Sequence, residues 1–339
     1  MIQRTLLFFM LLFASAAMMA QEGSDKKSLH ETGKAFLRKG DYENAILVLN
    51  RAAEQDPKNM SIREDLAYTY FLKKDFANAI EASKKLVDHS KADASSYQML
   101  GMCYKGIAEY KECEKLYKKG LKKFPKSGVL YNEYGELYAM QGKLEEGIRY
   151  WEKGIEVDPN ISNNYYNAAR YYDEKNNLLW AVIYGEIFLN LESLSGRTVT
   201  MKNIVTDDYK QLFATANKLN SYIAQGTPFT KAIAETLSKH AGLMGEGITA
   251  ESLTTVRTRF ILDWFNQYAK QYPFRLFDHQ RQLLQEGIFD AYNHWIFTQA
   301  ASPDAYQTWI NTHADENENF LKLQRNRVFK VPEAQYYPH

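Results

Sequence analysis

Small residues recur at a constant interval through the first half of the chain. Gly33, Ala67, Gly101, Gly135 and Ala169 stand 34 positions apart. Three residues after each comes an aromatic (Phe36, Tyr70, Tyr104, Tyr138, Tyr172), and twelve residues after each a second small residue (Ala45, Ala79, Cys113, Gly147, Ala181). Two antiparallel helices approach closely only where their crossing point carries little side chain, and a ring one helical turn beyond fills the space beside it. The spacing therefore predicts one helix pair per interval. Pro57, Pro125 and Pro159 would end the second helix of three of these pairs, because proline cannot continue a helix. Gly40-Asp41, Asp75 and Gly142 mark tight turns inside the pairs. The third turn, Ala108-Glu109-Tyr110, has neither residue type and is placed by register alone.

The order small, aromatic, small, proline resembles the tetratricopeptide repeat, a helix–turn–helix unit of this period. The resemblance covers 26–195, as units 26–59, 60–93, 94–127 and 128–161 and a degenerate unit 162–195. The last lacks the closing proline and has Gly185 where a large residue is usual. The resemblance implies an all-α fold, a superhelix of helical hairpins that serves as a binding scaffold rather than a catalytic pocket. It also implies that the first helix of each unit lines a concave face through two positions four residues apart. That stripe pairs His30 with Lys34, Glu64 with Tyr68, Gln98 with Met102, Asn132 with Glu136 and Tyr166 with Arg170, with Leu37 and Phe71 on the same side. The partner-binding residues expected from it are His30, Lys34, Glu64, Tyr68, Phe71, Met102, Glu136, Tyr166 and Arg170. Tyr, Met and Arg supply contact area with a polar handle. One subgroup of the family clamps the C-terminal carboxylates of chaperones with Lys and Asn where this chain has His30 and Lys34, so that clamp is not expected.

Beyond Leu191 the register lapses at Ser195-Gly196-Arg197-Thr198, but helical periodicity continues. Tyr209, Leu212, Phe213, Ala216, Leu219 and Ile223 predict a helix over 207–224. Pro228 opens another through about His240. Val256, Phe260, Ile261, Trp264, Phe265 and Tyr268 mark the inward face of a helix over 250–272, stopped by Pro273. Further helices are expected over 274–286, 289–300, 303–312 and up to Arg327. These make a helical domain over 200–327, packed on the end of the repeats, with an extended or mobile tail over 328–339.

At the N-terminus, Arg4 precedes the apolar run Leu6 to Phe13 and a series of small residues. This is the pattern of a secretory signal peptide over 1–20, too short to span a bilayer, which takes about 20 apolar residues. Cleavage is expected after Ala16, Ala17 or Ala20. A signal of this kind before such repeats suggests an exported, periplasmic protein. Forty-two basic and 41 acidic residues leave a net charge of +1. With no basic tract, nucleic acid is not an expected partner. In an oxidising compartment Cys103 and Cys113 could bond; the alternative is two small buried residues.

Candidate chemistry is sparse. His240, His279, His294 and His313, with Asp263 and Asp278, form no i, i+4 ligand pair and read as packing or surface residues. No catalytic residue, metal or cofactor is expected, since the chain has no G-x-S-x-G, P-loop or dinucleotide fingerprint. Gly242 to Gly247 lacks the Lys-Ser/Thr ending of a phosphate loop and reads as a linker. The expected function is an exported, non-catalytic scaffold that binds a peptide or protein in envelope assembly or secretion. Two other readings stand beside it. One is a helical catalytic domain at 200–327 with the repeats recruiting substrate. The other is a carbohydrate-binding accessory protein with platforms at Trp264, Trp295 or Trp309.

Overall fold

The computed structural model describes residues 29–245 and 247–337, so the expected signal peptide lies outside the described residues. The described residues are helical, with no strand among them. Two compact units meet in sequence at Pro125 and Lys126. The first holds three hairpins: α1 (29–38) with α2 (Tyr42–Gln55), α3 (Met60–Leu72) with α4 (Phe76–Val87), and α5 (Ala94–Gly106) with α6 (Tyr110–Lys123). The second opens with α7 (Gly128–Met140) on α8 (Leu144–Val157) and α9 (Ser162–Glu174) on α10 (Leu178–Leu191). It continues through α11 (Arg197–Ala214), α12 (Ala216–Gln225), α13 (Pro228–Ser238), a 3₁₀ turn at Ala241–Met244 and α14 (Ala250–Gln267). The last helices are α15 (Arg275–Gln285), α16 (Phe289–Phe297), α17 (Pro303–Thr312) and α18 (Ala314–Asn326).

The small positions are small because the partner helix lies against them. A Cβ on Gly33 would stand 2.7 Å from Leu49 Cγ. On Gly101 it would enter the Tyr117 ring, and on Gly135 the Trp151 ring. Ala45, Ala79, Cys113 and Ala181 are fully buried on the facing helices. Cys103 and Cys113 are unbonded and buried. The Cys103 thiol lies 3.7 Å from Ser83 Oγ, and Cys113 Sγ donates to the Gly101 carbonyl at 3.5 Å.

All five hairpins turn in the same way. Residues 40, 74, 108, 142 and 176 have φ of 75°, 63°, 57°, 75° and 57°. One residue later, the amides of Asp41, Asp75, Glu109, Lys143 and Asn177 donate to the carbonyls of Phe36, Tyr70, Tyr104, Tyr138 and Tyr172 at 2.8–3.0 Å. This left-handed helix ending normally takes glycine, yet Lys74, Ala108 and Asn176 adopt it as well. The unit at 162–195 is thus complete at its turn. Relieving the left-handed strain at an exposed alanine outweighs the added freedom of the unfolded chain. Ala108→Gly is expected to raise the urea midpoint, with a gain of about 0.5 kcal/mol, and Gly142→Ala to lower stability by about 1 kcal/mol.

In the second unit α10 is buried on every side from Leu178 to Leu189, as expected of a helix apolar all round. Gly185 admits α11: a Cβ there would meet Val205 Cγ2 at 2.5 Å and Met201 Sδ at 3.0 Å. One apolar core runs from Ile148 in α8 through α10 to Phe320 in α18 and Val331 in the tail, so the repeat pattern lapses inside a packed core. The helix expected over 207–224 is in fact two, because Thr215 is extended (φ −144°, ψ 145°). The break lets Tyr209 and Leu212 face the core while Tyr222 turns to the start of α10. There its hydroxyl accepts from the Leu179 amide and donates to Asn177 Oδ1, both at 3.1 Å. The tail is extended and pinned. Asn160 exchanges two hydrogen bonds with the Val331 backbone at 3.1 and 2.9 Å, and Tyr337 stacks on Phe229.

Glu186, in the middle of α10, is 1% exposed and pairs with Arg257 of α14, itself 2% exposed. Tyr209 of α11 donates to its Oε1 at 2.8 Å. Gln280 of α15 and Tyr292 of α16 donate to its Oε2 at 3.0 and 3.1 Å. Arg257 also donates to Asn293. Removing one member of a buried ion pair strands the other charge. Glu186→Gln is expected to cost about 3–5 kcal/mol in chemical denaturation, and a Glu186→Met/Arg257→Met double variant to recover part of that loss.

Candidate functional site

The first helices carry the expected stripe, and the two units use it differently. In the first unit His30 Nε2 lies 2.7 Å from Asp65 Oδ2, joining α1 to α3, and Lys34 pairs with Glu31 at 3.1 Å. Glu64 is half-buried, and its carboxyl is pushed up by burial and by the neighbouring Asp93 and Asp65. Tyr68 is 41% exposed and stacks on Phe71, whose ring packs edge-on against Phe76. Met102 is half-buried on α5. A depression of about 330 Å³ in this unit is lined instead by α2, α3 and α4, through residues such as Asn50, Arg63, Tyr70 and Lys85. None of the six stripe residues lines it.

The second unit brings two expected residues together. Glu136 of α7 and Arg170 of α9 line one concave pocket of about 360 Å³ with Met140, Asn167, Tyr171 and Glu174. Its polar wall is ordered from behind by the buried Asn132: Asn167 donates to Asn132 Oδ1 at 2.9 Å, and Asn132 donates to Glu136 Oε1 at 3.0 Å. Trp151 Nε1 holds the Asn132 carbonyl at 3.3 Å from below. On the rim, the Tyr171 hydroxyl donates to Glu145, which Lys175 also engages at 2.7 Å. Arg170 makes no ion pair among the described residues, and its guanidinium leans over Tyr166 at 5.6 Å. Tyr166 itself packs on Phe188 and under Arg197 at 4.7 Å, outside the pocket. Met140, Asn167, Tyr171 and Glu174 were not singled out from the sequence. Asn167 and Tyr171 sit one position beyond the stripe and Glu174 one turn further, which a stripe of fixed width does not reach.

Of the second-half histidines, His294 and His313 share one neighbour, Trp309. His240 pairs with Asp263 at 3.0 Å. His294 and His313 stack on Trp309 at 4.4 and 4.6 Å, and His279 is buried near α18. No group of three possible metal ligands occurs among the described residues. Trp264 and Trp295 are packed inward, which removes them as carbohydrate platforms. No described helix is long and apolar enough to cross a membrane.

One acid pair is unusual. Asp208 of α11 is fully buried, with no hydrogen-bond partner for either carboxyl oxygen among the described residues, and its carboxyl is pushed up to about 8 by burial and by the nearby Asp173 of α9. The folded chain therefore keeps a proton that the unfolded chain sheds near 3.8. Stability from this group is full below that value and is lost as pH rises to about 8. Asp208→Asn is expected to raise the melting temperature at pH 8 and leave it unchanged at pH 3, as read by thermal denaturation at both pH values.

Three tetratricopeptide repeat models match the chain, at residues 30–96, 94–125 and 116–149. Tetratricopeptide repeat protein 21B of Homo sapiens is 26% identical over 122 residues, 36% of this chain. The chain spans about 9% of the length of that relative. Among solved structures, MamA is 25% identical with a TM-score of 0.38, over 48% of this chain and 94% of its own. PilF of Pseudomonas aeruginosa is 15% identical with a TM-score of 0.45, over 62% of this chain and 96% of its own.

Proposed function

This chain belongs to the tetratricopeptide repeat family, and on that premise we propose that it is an exported, non-catalytic scaffold that binds a peptide segment between α7 and α9. The observation that carries the reading is the convergence of Glu136 and Arg170 on one pocket. The pocket offers a peptide a cation with no ion pair among the described residues, carboxylates at Glu136 and Glu174, the Asn167 amide and the apolar surface of Met140 and Tyr171. The buried Asn132 side chain holds both Asn167 and Glu136, so these two pocket-lining groups are oriented before binding, which limits the ordering cost. Tyr68 and Phe71 form a separate candidate contact point of the first unit, taken by itself. Export rests on the residues at 1–20, and an envelope role on the pairing of such a signal with repeats of this family. The repeats at 26–195 then supply the binding face and the helices at 200–327 its support.

Phage-displayed 12-residue peptides selected on the full chain provide the probe. Selected peptides are expected to bind wild type saturably in fluorescence anisotropy, and Arg170→Glu to weaken them by about tenfold or more. Equal affinity for wild type, Arg170→Glu and Met140→Asp would overturn the assignment.

A further inference from the structure

A second enclosed space lies in the helices that follow the repeats. The end of α10, α15, α18 and the start of the tail surround a cavity of about 80 Å³, lined on its polar side by Asn190, Ser193, Arg275, His279, Gln324 and Arg327. Its apolar walls are Leu189, Phe320, Leu323 and Phe329, and Val328, 79% exposed, marks the rim.

The polar side is rich in donors and poor in negative charge. Arg275 Nε donates to the Lys330 carbonyl at 3.2 Å, and the Arg327 guanidinium meets Glu286 Oε1 at 2.8 Å. An arginine has five donors, and neither guanidinium has a further acceptor among the described residues. Asp278, the carboxylate that acts on Arg275, is engaged by Arg281 at 3.6 Å. His279 lines the same cavity, 6% exposed, with its ring against Tyr292 and Phe329 and no hydrogen bond to a described residue. Burial and then the charges of Arg275 and Arg327 press its imidazole down to about 3, so it is neutral and offers one N–H. Gln324 Oε1 is buried without a partner. Turning that amide over would present its NH₂ to the same space.

We propose that this cavity binds a small oxyanion, carboxylate or phosphate, held between Arg275 and Arg327 with His279 and Gln324 completing its hydrogen bonds. Guanidinium pairs match the two oxygens of such groups, and apolar walls strengthen the attraction by excluding water. The volume admits a group of a few heavy atoms and excludes a nucleotide or a folded peptide segment. Because Arg275 reaches the tail backbone at Lys330 and Arg327 ends α18, a bound oxyanion would tie α15 to both. This site is independent of the peptide face.

The test uses the full chain with ¹⁵N-labelled histidine, titrated with sodium phosphate or sodium acetate at constant ionic strength against sodium chloride. A saturable shift of the His279 ring signals with phosphate but not acetate identifies a phosphoryl ligand, and the reverse a carboxylate. Either result, or a shift with both, supports the site. The melting temperature should rise with the same anion. Arg275→Gln and Arg327→Gln should each weaken binding by about tenfold or more. Arg327 is the more exposed of the two, so its variant reports on the site if Arg275→Gln fails to fold. Absence of any saturable shift beyond that of chloride up to 100 mM phosphate and acetate would overturn the proposal. So would unchanged affinity in a folded Arg327→Gln.

Discussion

Glu186 sits in the most apolar helix among the described residues, where an ionised carboxylate without partners costs several kcal/mol, and the helices around α10 keep it there. Arg257 brings the counter-charge from α14, Tyr209 a hydroxyl from α11, Gln280 an amide from α15 and Tyr292 a hydroxyl from α16. Apolar packing alone would let these helices slide by a residue with little penalty. A carboxylate with four donors does not, because each displaced donor leaves a buried polar group unmet. The helices after the repeats are therefore registered to α10, and through α10 and α9 to the face that carries Arg170.

The same division of labour holds in the repeats. Residues that set the hairpin geometry point inward or lie in the turn: the small crossing positions, the carbonyls of the five aromatics and the left-handed residue after each first helix. That leaves the outer face of the first helices to polar and aromatic side chains. Some of these are spent between adjacent helices, as with His30 on Asp65 and Asn132 with Asn167, two links of identical sequence separation. Others, Arg170 and Tyr68 among them, remain open to a partner.

Legibility in the sequence followed the kind of interaction involved. The hairpins were readable because steric exclusion at a helix crossing acts on one residue at a fixed period, and five repetitions state it five times. The pocket was readable only in part. Glu136 and Arg170 lie on the mapped stripe, whereas Asn167 and Tyr171 lie one position beside it and Met140 and Glu174 one turn beyond it. The break at Thr215 was hidden because one apolar stripe serves equally well as one helix or as two.

By itself, the sequence determined the all-α class, the hairpin unit with its period, and the inward placement of its small and aromatic residues. These depend on local geometry and short-range sterics, which a single chain segment already contains. Tertiary structure alone decided that Gly185 opens α10 to α11, that Glu186 and Arg257 meet, that Asp208 shares its environment with Asp173, and that Arg275, His279 and Arg327 converge. Each of these joins residues from separate helices, and a charge becomes costly or useful only when burial removes its water. Neither the meeting nor the burial is written in any one segment.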